Sequence, residues 1–206
     1  MPIRSFILAL LLFALTQNNL FSQGFNGGIS VGLAATQVDG DGHGGFDKAG
    51  PIVGVWTSRK FSRNISGSLE VRYIQKGSYA KNQLDGITVG YYRMRLHYTE
   101  LPITVIYNLN DKINFSGGIG VAYLWKATEE DVYGPFPEED IAQFRNYEVS
   151  GRIGIDYLLT SKLSVCLNFS YSVLPIRPHS GNISYRLDTG QFNNVMEITL
   201  KYQLGN

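Results

Sequence analysis

The sequence predicts an all-β fold, an eight-stranded antiparallel up-and-down transmembrane β-barrel with short periplasmic turns and long extracellular loops. Three observations predict it. Apolar and polar residues alternate with a period of two in eight stretches between Phe25 and Leu204. The connections between these stretches are by turns long and short. After residue 22 no segment approaches the roughly 18 apolar residues of a membrane helix, so a membrane can be crossed only by strands.

The first 22 residues are set aside as a cleavable secretory leader. Arg4 is its positive start, Phe6 to Leu15 its apolar run, and Leu20-Phe21-Ser22 its cleavage site, leaving residues 23–206 as the barrel domain. Removing Arg4 turns 18 basic and 17 acidic side chains into 17 of each. A neutral chain offers no electrostatic reason to expect nucleic acid. One cysteine, Cys166, cannot form an internal disulfide, so something else must hold an exported chain of this size.

The stretches follow in order. Gly27 to Thr36 opens the set, and Pro51 to Phe61 and Ile65 to Lys76 follow. In the fourth, Tyr92 to Leu109, the phase breaks: Met94, Leu96 and Tyr98 are even, whereas Leu101, Ile103, Val105, Tyr107 and Leu109 are odd. A bulge near Glu100-Leu101-Pro102, or a strand whose upper half projects beyond the membrane, reconciles the two halves. In the fifth, Ile113, Phe115, Ile119, Val121, Tyr123 and Trp125 alternate with small and polar residues. Tyr147 to Leu158 is the sixth. In the seventh, Leu163, Val165, Leu167, Phe169, Tyr171 and Val173 take every second place against Ser164, Cys166, Asn168, Ser170 and Ser172. The last sets Met196, Ile198, Leu200, Tyr202 and Leu204 against Glu197, Thr199, Lys201 and Gln203.

A soluble sandwich alternates too, and the distinction lies in which face carries charge. Glu70, Arg72, Arg152, Asp156, Glu197 and Lys201 share the polar faces with signs that can neutralise one another, and together with Glu100 they form the expected interior network. The opposite faces are almost free of polar groups, as a lipid-facing wall requires. Tyr73, Tyr107, Tyr123, Trp125, Tyr157 and Tyr202 fall near strand ends on those apolar faces, where aromatic girdles sit.

The connections at Ser62 to Asn64, Asn110 to Lys112 and Thr160 to Lys162 are short. Those at Asp39 to Gly50, Gly77 to Gly90, Ala127 to Asn146 and Leu174 to Asn193 are long. This alternation is that of outer-membrane barrels.

Leu69-Glu70, Tyr73-Ile74-Gln75-Lys76-Gly77, Tyr98-Thr99-Glu100-Leu101-Pro102 and Gly118-Ile119-Gly120 leading to Tyr123-Leu124 resemble the PorT-like outer-membrane β-barrel family of Bacteroidetes. With Gly50 and Gly54 the resemblance covers nearly the whole chain after the leader. Thr99 departs from the family's usual large aliphatic residue, and the last strand lacks a glycine often seen in barrel-assembly signals. The resemblance implies an eight-stranded barrel in the outer membrane of a Gram-negative cell. One branch of that family is associated with protein secretion.

Enzymatic candidates are few. His43, His97 and His179 could serve at a rim, but no spacing compels a triad with a carboxylate and a nucleophile. Asp39, Asp41, His43 and Gly44 imitate a calcium loop, but Gly50 stands where its bidentate glutamate belongs. No enzyme, cofactor or metal site is expected. The loop from Thr128 to Asn146 is the candidate interaction site: Glu129, Glu130, Glu138 and Glu139 flank Tyr133 and Phe136, a charged rim around a stiff aromatic centre. The basic fourth loop, with Arg177, His179, Tyr185 and Arg186, could pack against it. Expected partners are outer-membrane lipid, lipopolysaccharide and an envelope protein. The expected product is a monomeric, non-conducting structural or interaction barrel, with a secretion or uptake assembly as the alternative and a rim enzyme as the least favoured.

Overall fold

The computed structural model describes residues 24–84, 87–137, 141, 143–178 and 190–204, with the backbone alone at 82–84 and 87–89. The leader lies outside the described residues. The described residues form nine strands: β1 (Phe25–Asp39), β2 (Lys48–Lys60), β3 (Ile65–Leu84), β4 (Ile87–Asn108), β5 (Ile113–Asp131), β6 (Gly134–Pro135), β7 (Tyr147–Leu158), β8 (Leu163–Ser172) and β9 (Phe192–Leu204). Each pairs antiparallel with its neighbour, and β1 closes on β9 from Gly27↔Leu204 to Asp39↔Phe192. The pairing of β4 with β5 completes an eight-membered ring. β6 is a two-residue addition to the outer end of β5. Closure leaves no strand edge open, the condition for sheet to survive in hydrocarbon.

The three short turns are built alike. Phe61, Leu109 and Leu159 each donate a backbone N–H to the carbonyl four residues on, at 2.9, 3.1 and 2.9 Å. Ser62, Asn110 and Thr160, next in line, each accept through a side-chain oxygen from the backbone N–H of Ile65, Ile113 and Leu163. Short polar side chains that fold back on the main chain are the reason such residues occur in tight turns.

Side-chain direction settles which face meets lipid. Leu33 is 58% exposed, Ile153 64% and Leu167 56%, while Arg72, Arg152 and Glu197 are buried inside the ring. Val31, Val53, Val55, Val71, Val105, Val121, Ile198 and Leu200 also point out. A wall this apolar is unfavourable in water and costs nothing in hydrocarbon. Tyr107, Tyr157 and Tyr202 ring the end with the short turns, and Tyr73, Tyr123 and Trp125 the other. Tyr73 pairs with Thr99, eight residues from Tyr107 along β4. At about 3.4 Å per residue and a tilt of about 40°, the girdles stand roughly 21 Å apart, near the apolar height of outer-membrane barrels.

The two halves of β4 keep one phase. Leu69↔Ile103 and Arg72↔Glu100 belong to the same register, so no bulge lies at Glu100-Leu101-Pro102. Even positions face inward throughout. Above the girdle Met94, Leu96 and Tyr98 join Val38, Ile52, Ile74, Leu124, Ile176 and Val195 in an apolar core, while Arg93, Arg95 and His97 face out. The barrel is thus inverted within the membrane and packed like a soluble barrel beyond it. The irregularity falls on β5: His97 pairs with Lys126 and Tyr98 with Leu124, so Trp125 is the extra residue.

Two of the expected long connections are shorter than their span. β3 and β4 continue through most of Gly77 to Gly90 as a hairpin, and β5 runs to Asp131 inside the expected Ala127 to Asn146 loop. Strands can continue past the bilayer because water tolerates a paired ladder as readily as lipid does.

Replacing Val121 by Arg is expected to lower the unfolding free energy in lipid vesicles by about 2–4 kcal/mol. The same change at Tyr133, beyond the membrane and 95% exposed, should stay within about 0.5 kcal/mol. Urea titration of vesicle-reconstituted protein measures both.

Candidate functional site: the ionic lumen and the extracellular mouth

Interior positions inside the membrane must be small or mutually neutralising, because a charge left alone there has neither water nor a counterion. At the periplasmic end Lys201 Nζ lies 2.9 Å from Glu70 Oε2, and Ser30 donates to Glu70 Oε1 at 2.7 Å. At mid-height Glu197 sits between two guanidiniums, accepting from Arg72 at 2.7 and 2.8 Å and from Arg152 at 2.9 and 3.0 Å. Arg72 Nε also donates to Glu100 at 2.7 Å. Above them Lys76 bridges Glu100 at 3.2 Å and Glu148 at 2.8 Å. Asn193 and Ser172 donate to Glu148 as well, at 2.7 and 2.9 Å.

Four carboxylates (Glu70, Glu100, Glu148, Glu197) therefore face four cations (Arg72, Lys76, Arg152, Lys201), and this ion-paired network carries no net charge. Paired forks of Arg on carboxylate are among the stronger protein hydrogen bonds. Gly120 is required here, since a Cβ on it would lie 2.9 Å from Glu100 Oε1 and 2.7 Å from Ser150 Oγ. Asp156, expected in the network, instead stands across from Cys166 and takes no part in these ion pairs. Lys76 and Glu148 were not expected. Their parity, matching Arg72 and Arg152, carries the signal.

Cavities lie on both sides of the plug. Toward the periplasm a cavity of about 190 Å³ is lined by Asn26, Ser66, Asn114, Asp156, Cys166 and Lys201. At the extracellular mouth one of about 350 Å³ is lined by Asp39, Gly40, His43 and Phe192. In the loop above it, burial raises the Asp41 carboxyl above its ordinary pKa. The described residues contain no group of three or more His, Cys, Asp or Glu able to hold a metal.

The residues expected as one loop interaction site are split. Glu129 turns inward, 2.6 Å from Arg177, which lies 4.3 Å over the Phe144 ring and donates to Gln191 at 2.6 Å. Through Arg177 the fourth loop thus packs against the third. Glu130 faces the outer wall, bound to Arg93 and Arg95 at 3.0 and 3.1 Å. Phe136 tilts against Tyr92 at 6.4 Å, and Tyr133 projects into solvent. Glu138, Glu139, His179, Tyr185 and Arg186 lie outside the described residues. His97 accepts or donates at Nδ1 with Tyr73 OH, 2.9 Å away, on the outer wall, whereas Glu100 points into the lumen. The two cannot act together.

Replacing Glu197 by Ala is expected to destabilise the barrel by about 3–5 kcal/mol, because two buried guanidiniums lose their shared acceptor. Gly120→Leu should cost about 1–3 kcal/mol by overpacking beside Glu100. Equilibrium unfolding of refolded protein, with SDS-resistant gel migration as the check of folding, measures both.

Solved structures with this geometry exist at low sequence identity, which shows the fold alone. The attachment invasion locus protein Ail of Yersinia pestis, solved with the heparin analogue sucrose octasulfate, matches at a TM-score of 0.51 and 12% identity. That match covers 88% of this chain and 99% of Ail. Neisserial surface protein A (NspA) matches at a TM-score of 0.55 and 9% identity, over 88% of this chain and 97% of NspA. No curated protein matches the sequence significantly. The family model of the outer membrane protein beta-barrel domain matches residues 15–176. A closed ring with lipid-facing apolar walls, a paired ionic lumen and this family match together place the chain in the outer membrane, as a member of the outer membrane protein beta-barrel domain family.

Proposed function

We propose that this protein is a closed, non-conducting barrel of the cell envelope that works through its exposed surfaces, as a structural or interaction protein and not as a pore or an enzyme. The plug carries the reading. Glu100, Glu197, Arg72 and Lys76 have side chains no more than 1% exposed and are bonded to one another across the ring. An eight-stranded ring is just wide enough for its side chains to fill it. An ion passing through would have to part several charge-assisted pairs at once. The reading includes removal of residues 1–22 on export, a monomer in the membrane and contact with lipopolysaccharide.

The extracellular end supplies the working surface. β5 rises beyond the girdle to Asp131, and the turn after it holds Tyr133 out, 95% exposed beside the half-exposed Val132. An aromatic tip on a paired β-platform can meet a protein partner at little entropic cost. That favours the second reading, service in a secretion or uptake assembly as the resemblance to PorT-like barrels suggests.

Purified protein in planar bilayers should give no stable conductance steps at neutral pH. Large, long-lived steps from the intact protein contradict the closed barrel. For the second reading, photo-crosslinking from position 133 in intact cells should trap a defined envelope protein, and the trapping should be lost when the crosslinker is moved to lipid-facing Ile153.

A further inference from the structure

Resting on the lipopolysaccharide contact proposed above, we propose that the outer wall of β3, β4 and β5, just above the aromatic girdle, is a binding site for the phosphate groups of an anionic lipid headgroup in the outer leaflet, held by Arg95 and Lys126 with the buried Lys48 adding its charge behind them. The wall is laid out by the register. Gln75 pairs with His97, Gly77 with Arg95 and Tyr79 with Arg93 between β3 and β4. His97 then pairs with Lys126 and Arg93 with Glu130 between β4 and β5. The extra residue at Trp125 turns Trp125 and Lys126 outward together, and both are exposed. Lys48, only 6% exposed, lies behind the same wall on β2, where its ammonium donates to Gln75 Oε1 and to the Ala49 carbonyl, each at 2.6 Å.

Charge on this wall is one-sided. Among the described residues Lys48, Arg93, Arg95 and Lys126 share a single carboxylate, Glu130, which already accepts from both arginines. Lys48 is bonded only to neutral oxygens, and neither it nor Lys126 forms an ion pair among the described residues. The chain as a whole is nearly neutral, with 18 basic and 17 acidic residues, so the excess of three positive charges among the described residues of this wall is local. Half the geometry is preorganised. Arg93 is clamped between the rings of Tyr79 at 5.0 Å and Tyr91 at 5.6 Å, and it helps fix Glu130, which in turn orients Arg95. The side chains of Arg93 and Arg95 remain about a third exposed, so guanidinium donors face outward.

Height selects the ligand. Tyr73, His97 and Trp125 form a contiguous aromatic group, with His97 and Trp125 rings 5.2 Å apart and Tyr73 and Trp125 rings 6.1 Å apart. Such groups sit at the boundary between acyl chain and headgroup. Arg95 is two residues above His97 on β4, about 7 Å along the strand, and Lys126 is level with His97. The cations therefore stand at the depth of lipid phosphates, with Trp125 against the chains below. A soluble polyanion meeting the barrel from outside would meet the hairpin tips first. The site is separate from the tip at Tyr133 and does not depend on what that tip binds.

The test compares three proteins: the wild type, the triple variant Lys48→Gln, Arg95→Gln, Lys126→Gln, and a control, Lys60→Gln with Lys112→Gln, which removes exposed charge at the opposite mouth. Each is titrated in neutral detergent with diphosphorylated lipid A, with phosphatidylcholine and with inorganic pyrophosphate, and bound lipid is read by native mass spectrometry. The wild type and the control should bind lipid A alike, and the triple variant about a hundredfold more weakly, as the loss of two contacting cations and of one behind them predicts. Phosphatidylcholine should not distinguish the proteins. Equal lipid A affinity in the wild type and the triple variant overturns the site, and so does pyrophosphate binding as tight as lipid A, which would mark an anion site without lipid character. Should the triple variant fail to fold, judged by SDS-resistant migration, Lys126→Glu alone decides: its side chain is exposed, and unchanged lipid A affinity in that variant contradicts the proposal.

Discussion

Everything in this molecule depends on the exchange of hydrogen bonds around a ring that has no end. The pairing of β1 with β9 removes the last free edge of the ring, and only then can its strands, 10 to 22 residues long, cross hydrocarbon without an unsatisfied N–H or C=O. Closure has a consequence for side chains. Half of every strand must look into a lumen too narrow for bulk water, and the polar residues placed there have only one another. Glu197 between Arg72 and Arg152 is the centre of that arrangement, and Lys201 with Glu70 and Lys76 with Glu148 extend it downward and upward.

The barrel changes character along its axis. Between the girdles it is greasy outside and ionic inside. Beyond the upper girdle the order reverses: Met94, Leu96 and Tyr98 fill the interior and Arg93 and Arg95 line the wall. One uninterrupted strand serves both environments, because its inward face needs only to be filled and paired, whether with ions or with methyl groups. Tyr98 marks the join. Its ring lies 5.1 Å from Lys76 Nζ, and its hydroxyl accepts from Asn193 at 3.3 Å. The apolar core above caps the ionic one below and keeps water from it.

Much of this was legible in the residues. The strict period of two from Leu163 to Val173 and from Met196 to Leu204 defines two strands and both of their faces. Opposed charges on the polar faces, Arg72 and Arg152 against Glu197, are a lumen written in one dimension. What stayed hidden had physical causes. Periodicity does not tell where the bilayer stops, so the even apolar residues of β4 looked like a broken phase when the environment had changed and the strand had not. Gly77 to Gly90 resembled a loop because it carries no apolar face of its own: Ser78, small and polar, lies buried opposite Met94, which fills that part of the core. Lys76 and Glu148 were passed over because each lies near the end of its predicted strand, and Asp156 was grouped with the network on parity alone although no cation among the described residues forms an ion pair with it. The interaction loop was read as a single charged rim. Its members separate because the extra residue at Trp125 reverses the parity that follows, sending Glu129 inward and Glu130 outward.

The central claim is that the apolar face meets lipid and the ionic face is sealed within. Spin labels placed singly at Val121, Ile153 and Leu167 in a Cys166→Ser background, in protein reconstituted into vesicles, test it directly. Collisions with oxygen, which dissolves in the bilayer, should be frequent at all three, and collisions with a water-soluble nickel chelate rare. Labels freely reached by the chelate and shielded from oxygen would mean that these side chains face water, and the membrane barrel would be refuted.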